Sequence, residues 1–434
     1  MERTKKKWMD LAEEVVVEIM SFLPPKSLIQ FKLVNKSWCA FIESLISDPL
    51  FVERHLYNMK NNLLLYSTSL AFICKVPCSC DEPELITTLA NSTNELVHSP
   101  SCPQYVRPHL LTLFHGHDHD DDDHQIRHVV EDFDLPLIWG DTELNGITEY
   151  HCNGLVCLTR EVSDYPDYVL CNPSTKKWRL LPDLINRFRF ARLGGGLGCD
   201  SRDKDYKFVR FGYHLDSKDS IAEIYSLGTD SWREIEFDWS EMKLGFKVTD
   251  VMADEVDKEI LCRGVLYWVV QGHKIMCFDV SDEVFRSLPL PDNLQSSKKL
   301  SSFPKQIRLA VWNEAVALFH YPSENGVVRS IEIWVMMDDC IGGVESSCSW
   351  FKQVTIGPLV GIGTPLTFWN GDELLMRIKD RRLVSYNLPS QKLRRLSTGV
   401  GRKASKTLYV YEEDYAFLFV KSLVSVEGGS GREA

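Results

Sequence analysis

The chain has 434 residues, 44% of them hydrophobic and 25% charged, which is typical of globular proteins and predicts about two or three domains. Its 49 Lys and Arg against 61 Asp and Glu give a net charge of -12, and no long basic cluster is present, so we expect no nucleic-acid partner. No apolar run reaches the roughly 18 residues of a membrane span, so we expect no membrane partner. The 13 cysteines lack regular spacing and no secretory signal precedes them, which predicts reduced thiols in the cytoplasm or the nucleus.

The first sixty residues have helical periodicity. Asp10 and Glu13 fit an N-terminal capping box, and apolar residues then recur at helical spacing until Pro24 and Pro25 end the helix. Two more short helices and a final turn are predicted before residue 57. Because helices this short cannot cover all of their apolar residues, either another domain or a partner must pack on them.

From about residue 62 the pattern changes to short β-like runs separated by turn residues. One hairpin recurs, in which a polar turn precedes an aromatic residue or a leucine at the start of the second strand. These positions are Trp178, Trp232, Phe285, Trp350 and Leu393, at separations of 54, 53, 65 and 43 residues. A second hairpin recurs between them. Two hairpins per ~50 residues are typical of a four-stranded propeller blade, whereas a β-sandwich has no reason to repeat an aromatic residue at this period.

The fold class predicted is therefore α+β and multidomain, with a small helical domain at residues 8–57 and an all-β propeller at residues 62–427. Segment 78–134 is atypical, acidic and His-rich, and we expect it to be a partly disordered insertion. Without its 57 residues the propeller has 309, enough for about six blades of ~50 residues each. The run 408–426 is expected to close the ring by joining the first blade, and residues 428–434 form a flexible tail.

The helical segment resembles a plant F-box. Between Leu23 and Leu56 it shows, in order, Leu-Pro, Lys-Ser-Leu, Phe-Lys, Val-x-Lys-Ser-Trp and Phe-Val-x-x-His-Leu, and it departs from the family where the usual Leu-Pro opening reads Leu11-Ala12. The resemblance implies docking on a Skp-type adaptor and, through it, on a cullin. The residues expected to bind the adaptor are Leu11, Ile19, Leu23, Pro24, Leu28, Phe31, Val34 and Trp38. Phe41 and Ile42 are expected to be internal.

The rest of the chain is similar to the F-box-associated, kelch-like propeller domain of plant F-box proteins. The shared runs are Asn-Pro-Ser-Thr-Lys-Lys-Trp-Arg-Leu-Leu-Pro at 172–182, Leu-Gly-Thr-Asp-Ser-Trp-Arg-Glu at 227–234 and Ile-Glu-Ile-Trp-Val-Met-Met at 331–337. With Pro-Leu-Thr-Phe-Trp at 365–369, they are most similar to S-locus F-box and S-locus F-box-like proteins. Those proteins are the pollen components of self-incompatibility and recognise S-ribonucleases for ubiquitination.

This resemblance implies a non-catalytic substrate-recognition subunit of a Skp–cullin–F-box ubiquitin ligase, with a basic S-ribonuclease as its target. The concentration of acidic residues between 118 and 134 agrees with a basic target. Two alternatives stay open. One is an F-box receptor for a different target, and the other is a metal-dependent propeller enzyme to which the helices are an appendage.

We predict no catalytic residues, no cofactor and no metal site. The run 115–124 has four His and five Asp, a composition that can ligate zinc, but so polar a run supplies no rigid tetrahedral geometry and is expected to be a solvated loop. Cys74, Cys78 and Cys80 lack the paired spacing of ordinary zinc sites. The Gly-rich run 194–198 fails the dinucleotide fingerprint. Isolated His151 and His273 are expected to be turn or core residues.

Overall fold

The structure, a computed structural model, describes residues 13–61, 67–76, 105–114, 125–126, 128–132, 147–160, 167–185, 190–242, 247–248, 251, 256–270, 274–295, 306–324, 327–337, 348–358, 362–378, 382–396 and 416–427. Leu11, Cys78, Cys80, Cys102, His273, the run 115–124 and the tail 428–434 lie outside these residues. Among the described residues, no helix is both long enough and apolar enough to span a membrane.

Four helices form the N-terminal domain: α1 (Glu13–Ser21), α2 (Pro25–Phe31), α3 (Lys36–Ser47) and α4 (Pro49–Asn61). Local sequence explains where they begin. Pro25 takes the first position of α2, where its missing N–H costs no hydrogen bond. Asn35 caps α3, because its side-chain oxygen accepts a hydrogen bond of 3.0 Å from the N–H of Trp38. The last element was predicted as a turn, but it is a helix of 13 residues that ends beyond the predicted domain boundary.

The propeller is built from antiparallel strands, and the chain passes through them in the order β1 (Ser67–Val76), β2 (Tyr105–Phe114), β3 (Gln125–Ile126), β4 (His128–Asp132), β5 (Ile147–Cys152), β6 (Leu155–Arg160), β7 (Asp167–Asn172), β8 (Lys177–Leu180), β9 (Phe190–Cys199), β10 (Tyr206–His214), β11 (Ser220–Ser226), β12 (Ser231–Ile235), β13 (Ile260–Cys262), β14 (Val265–Val270), β15 (Lys274–Asp279), β16 (Val284–Pro289), β17 (Ile307–Trp312), β18 (Ala315–His320), β19 (Ser323–Glu324), β20 (Val327–Val328), β21 (Ile331–Met336), β22 (Trp350–Ile356), β23 (Ile362–Asn370), β24 (Glu373–Ile378), β25 (Leu383–Asn387), β26 (Lys392–Leu396) and β27 (Ala416–Phe419).

Six sheets form the six blades, five of them with four strands and one with a fifth strand added, which confirms the predicted fold class and blade number. In the second, third, fourth and sixth blades the strands are β5 to β8, β9 to β12, β13 to β16 and β23 to β26, each in chain order. The fifth blade pairs β17, β18, β21 and β22, and β19 and β20 form a small hairpin within it. The short β3 adds in parallel to the outer edge of the sixth blade.

The ring closes between the two ends of the propeller. The C-terminal strand β27 pairs antiparallel with β1 of the first blade, with Ser69 opposite Phe419, so the predicted closure is confirmed. Among the described residues of the predicted run 408–426, the closing strand is Ala416–Phe419.

The prediction that segment 78–134 is an insertion outside the blades is wrong for part of its length. Residues 105–114 and 128–132 are β2 and β4 of the first blade, and β2 pairs with β1 over ten consecutive residues. The run Leu110-Leu-Thr-Leu-Phe114 forms a strand, although the His- and Asp-rich run that follows it is typical of a loop.

The repeated aromatic residues join neighbouring blades. The indole N–H of Trp232, on the third blade, donates to the carbonyl of Pro182 at the end of the second blade, at 3.0 Å. Trp350 makes the equivalent bond, also 3.0 Å, to Pro289 at the end of the fourth blade. Trp178 is the exception, since it is 46% exposed.

Two of these tryptophans are followed by an arginine, and each arginine contacts the next blade along the chain. Arg179 pairs with Asp230 in the outer turn of the next blade, at 2.5 Å, and Arg233 pairs with Glu283 in the corresponding turn of the blade after that. The pair Trp232-Arg233 therefore contacts the preceding blade through its first residue and the following blade through its second.

The Gly-rich run of β9 has a packing function. A Cβ on Gly196 would lie 2.8 Å from a methyl carbon of Leu266, and one on Gly198 would lie 2.5 Å from a methyl carbon of Val280. Both contacts come from the fourth blade, so glycine lets the backbones of two blades approach closely.

Cysteine chemistry differs from the prediction at one position. Seven cysteines among the described residues are free thiols, five of them buried. Cys348 is disulfide-bonded, so the expectation of reduced thiols is wrong for this residue.

The C-terminal segment, residues 421–427, connects the propeller to the helical domain. Leu423 packs with Leu28, Ile42 and Phe51 in the core of the helical domain, while Val424 and Val426 belong to the core of the second and third blades. The side-chain amide of Asn172 donates to the carbonyls of residues 422 and 424, at 3.1 and 2.8 Å. The two domains therefore share one apolar interface.

Two equivalent hairpin turns allow the contribution of this interface to be measured, because only one of them contacts the C-terminal segment. Gly154 and Gly264 both follow a residue of positive φ in a two-residue turn and have φ of 83° and 81°. A Cβ on Gly154 would lie 2.4 Å from Oγ of Ser422 and 2.4 Å from the carbonyl oxygen of Val420, whereas one on Gly264 meets no described atom within 4 Å.

We therefore expect Gly264→Ala to lower the free energy of unfolding by about 1 kcal/mol, the cost of the backbone conformation alone. Gly154→Ala should cost about 1–3 kcal/mol more, because the methyl group displaces the C-terminal segment. Urea denaturation of the two variants measures the difference. Equal losses would show that the segment is not held against this turn.

Candidate functional site

The helical domain exposes a row of apolar side chains along α1. Val15, Ile19 and Phe22 lie at intervals of four and three residues, which places them on one helix face, and all three are more than 40% exposed. A helix in a stable domain normally turns such a face toward a core. Here the face is open among the described residues, so it is available to a partner.

The end of α2 exposes two more apolar residues. Leu33 is 87% exposed and Val34 is 59% exposed, and Pro24 before α2 is exposed as well. We call the six residues Val15, Ile19, Phe22, Pro24, Leu33 and Val34 the apolar surface. Exposed apolar side chains in this number are typical of an interaction site.

The structure divides the predicted adaptor-binding residues into three groups. Ile19, Pro24 and Val34 are exposed, as a contact requires. Leu23, Phe31 and Trp38 are half-buried against the domain core. Phe31 and Trp38 have ring centroids 5.7 Å apart, so each supports the other and keeps an exposed edge. Their assignment to the adaptor interface stays a prediction.

Leu28 contradicts its prediction. Its side chain is 0% exposed and packs with Met20, Ile42 and Leu45, so it stabilises the helical domain and is not accessible to a partner. Ile42 is internal, as expected, and Phe41 is half-buried. The periodic pattern does not separate Leu28 from Val34, because both are apolar residues in or next to the same short helix.

The sequence analysis also missed exposed residues. Phe22 and Leu33 belong to the apolar surface, and Leu50 at the start of α4 is 75% exposed. Leu33 could have been found from its position, since it lies after the last turn of α2, directly before a second apolar residue and the cap of α3.

Polar contacts between α1 and α4 hold the apolar surface in place. Nε2 of buried His55 lies 2.9 Å from the carbonyl oxygen of Leu23, directly after α1. The amide of Asn58 donates to Oγ of Ser21 at 2.8 Å, and that hydroxyl donates to the carbonyl of Glu18 at 2.7 Å. These bonds occupy the carbonyls at the end of α1, where no helical N–H is available.

An ion pair adds to the apolar contact between the two domains. Nζ of Lys204, in the turn between β9 and β10, lies 2.9 Å from a carboxylate oxygen of Glu53 on α4. Val52 and Leu56 of the same helix pack beside Tyr206 of the propeller. The apolar surface is therefore held in a defined position relative to the blades.

Comparisons with known proteins cover both parts of this arrangement. A family model described as the F-box domain matches residues 8–49, and one described as the F-box associated beta propeller domain matches residues 125–426. F-box protein At2g15640 of Arabidopsis thaliana is 22% identical over 359 residues, which cover 76% of this chain and 73% of the relative. F-box protein At5g49610 of the same plant is 24% identical over 344 residues, covering 74% and 79%. F-box/kelch-repeat protein At3g23880 is 27% identical over 289 residues, covering 65% and 66%.

The buried His55 predicts a pH dependence of stability. Burial lowers the pKa of His55 below its usual value of 6.5, and Nδ1 has no hydrogen-bond partner among the described residues. As the pH falls through 6.5, the imidazole of the unfolded chain therefore binds a proton before that of the folded chain does, and the free energy of unfolding decreases. We expect the free energy of unfolding to decrease between pH 7 and pH 5. The decrease should be smaller in His55→Gln, and chemical denaturation across this range measures both slopes. An unchanged slope in the variant would contradict the assignment.

Proposed function

The chain belongs to the F-box proteins that carry an F-box associated beta propeller domain, and we propose that it is the substrate-recognition subunit of a Skp–cullin–F-box ubiquitin ligase. In this function the helical domain binds a Skp-type adaptor, which connects it to a cullin, and the propeller binds a protein target. The observation that supports the adaptor interaction best is the apolar surface of α1 and α2.

Burial of the apolar surface supplies the free energy of adaptor binding. Complete burial of a Val, Leu, Ile or Phe side chain contributes about 1.5–3 kcal/mol relative to full exposure. Because Leu33 and Val34 are mostly exposed, their burial by a partner would contribute most of this free energy for Leu33 and more than half of it for Val34. The domain core around Leu28 forms without the partner, so binding needs little ordering of the helices.

The receptor itself performs no bond-breaking step in this proposal. It raises the effective concentration of the target near the ubiquitin-carrying enzyme, which depends on geometry and not on catalytic side chains. Fixed placement of the apolar surface relative to the propeller suits this function. We place its activity in the cytoplasm or the nucleus.

A charge introduced at Val34 tests the adaptor interaction. Val34→Asp should weaken adaptor binding by about 2 kcal/mol or more, roughly 30-fold, because a carboxylate would be buried unpaired at the interface. Its melting temperature should stay unchanged, since the side chain is 59% exposed. Calorimetric titration of the adaptor measures the affinity.

Two control variants separate contact from folding. Val284→Asp introduces the same charge at a half-exposed site of the propeller, 42% exposed, and should leave adaptor binding intact. Leu28→Asp should unfold the helical domain, because it places a carboxylate in the core. Full adaptor affinity in Val34→Asp would refute the assigned surface.

For the target, we propose a basic S-ribonuclease. The support is the similarity of the repeats to S-locus F-box proteins together with a net charge of -12, since an acidic receptor attracts a basic protein over long range. A receptor for another target is the alternative, and it shares every feature of the helical domain.

This proposal predicts a salt-dependent association rate. The rate with a basic S-ribonuclease should fall steeply as ionic strength rises through ~0.15 M, where the Debye length is about 8 Å. Replacing Asp120 to Asp123 by Asn should lower the association rate more than it raises the dissociation rate. Surface plasmon resonance over a salt series measures both rates, and the adaptor serves as the internal control. Absence of binding, or a rate that does not change with salt, would favour the alternative target.

A further inference from the structure

A cavity of about 460 Å³ lies at the centre of the propeller. Its walls come from the inner strands β5, β13, β17, β23 and β27, and its rim includes Lys60, in the last turn of α4. The volume falls within the roughly 300–1,000 Å³ of small-molecule sites. The apolar surface that we assign to the adaptor lies on α1 and α2, so the cavity is a separate feature.

Basic groups predominate among the charged residues of this cavity. Lys60, Lys204, Lys258 and Arg263 line it, and Glu259 is the acidic residue among the described lining groups. Lys204 is paired with Glu53 of α4. Burial opposes the charged form of both Glu259, whose pKa it raises to about 8, and Lys258, whose pKa it lowers. An anion in contact with Lys258 would favour its ammonium form. The cavity therefore favours negative charge.

His151 is a polar group in the cavity that lacks a hydrogen bond. Its side chain is 7% exposed, and among the described residues neither ring nitrogen has a hydrogen-bond partner. Nε2 lies 3.5 Å from Oε2 of Glu149, without hydrogen-bond geometry. A buried polar group without a partner is unfavourable, so a ligand that accepts a hydrogen bond from this ring would recover free energy.

Lys258 lies close to the same point of the cavity. The imidazole of His151 stacks on Phe417 with ring centroids 5.0 Å apart, and Nζ of Lys258 lies 5.6 Å from the centroid of the same Phe417 ring. The ammonium group also lies 4.5 Å from the ring of Tyr150 and donates to the carbonyl of Glu149. The ammonium group of Lys258 and the imidazole of His151 therefore both lie against the ring of Phe417.

A large part of the remaining wall is apolar. Leu309, Leu366 and Ile260 line it together with Phe417. A free inorganic ion would leave this surface in contact with water, whereas an organic body would cover it. The chemistry of the walls thus specifies a molecule with one charged end and an apolar body.

We propose that the central cavity binds a small organic anion, whose carboxylate or phosphate group contacts Lys258 and His151 and whose apolar body packs on Phe417 and the leucines. Charge-assisted hydrogen bonds from the lysine and the imidazole hold the anionic group. Arg263 and Lys60, nearer the mouth, attract it electrostatically. This site is independent of adaptor binding, and the molecule bound there would be a further ligand of the receptor besides the adaptor and the protein target.

The test uses the full-length chain and three probes that share one aromatic ring: phenyl phosphate, benzoate and benzyl alcohol. Calorimetric titration and ligand-observed NMR should detect binding of at least one of the two anions. The affinity for benzyl alcohol should be lower by a factor of about ten or more. The ratio between phenyl phosphate and benzoate identifies whether a phosphate or a carboxylate is preferred. Inorganic phosphate should bind more weakly than the preferred organic anion.

Variants connect the binding to the cavity. Lys258→Met keeps the length of the side chain and should weaken the preferred anion about tenfold or more. Arg263→Gln, in an exposed turn, should weaken it several-fold, and it provides the test if Lys258→Met fails to fold. Lys392→Gln removes an equal charge from the outer strand of the sixth blade and should leave the affinity unchanged.

Three results would overturn the proposal: no binding of either organic anion up to ~10 mM, equal binding of benzyl alcohol and the anions, or unchanged affinity in both cavity variants. Adaptor affinity should be the same in all of these variants. Its loss in Arg263→Gln would contradict the independence of the two sites, whereas failure of the Val34→Asp test would leave the cavity site unaffected.

Discussion

The packing of Leu423 in the core of the helical domain is the contact on which the arrangement of the whole chain depends. Strand β27 closes the propeller, and the next few residues then leave the ring and enter the core formed by Leu28, Ile42 and Phe51. The N-terminal helices are therefore completed by the C-terminal end of the chain. Because residues 416–427 both close the ring and fill this core, their loss would weaken both domains together.

This shared segment is important for the proposed function, because a ligase receptor acts by holding its target at a fixed position relative to the adaptor. A flexible connection between the F-box and the propeller would spread a bound target over many positions and lower its effective concentration at any one of them. Here Asn172 holds the segment through two carbonyls, and Glu53 of α4 pairs with Lys204 of the third blade. The exposed Val34 is fixed relative to the blades by contacts that do not involve the adaptor.

The sequence predicted features that are local or periodic. Helical spacing located the N-terminal helices, and the recurrence of residues such as Trp232 and Phe285 identified the hairpins and the number of blades. Features that depend on distant contacts were not accessible. Leu28 and Val34 are both apolar residues in or next to the same short helix, and the core that buries Leu28 includes Leu423, almost 400 residues later in the chain. Strands β2 and β4 were missed for the same reason, because their pairing partners lie across a long polar segment.

The surfaces between the blades and the centre of the propeller differ in composition. The first are closely packed and stabilise the fold, whereas the second contains the polar groups of the proposed binding site. Between the third and fourth blades, glycines of β9 let Leu266 and Val280 pack against bare backbone, which leaves no room for another group. At the centre, buried His151 has no hydrogen-bond partner among the described residues, which costs free energy, and Lys258 is held over the ring of Tyr150. A fold that packs its blades this closely has no structural need for polar groups at its axis. Their presence is therefore better explained by recognition than by folding, because a bound anion would satisfy groups that the protein alone leaves unsatisfied.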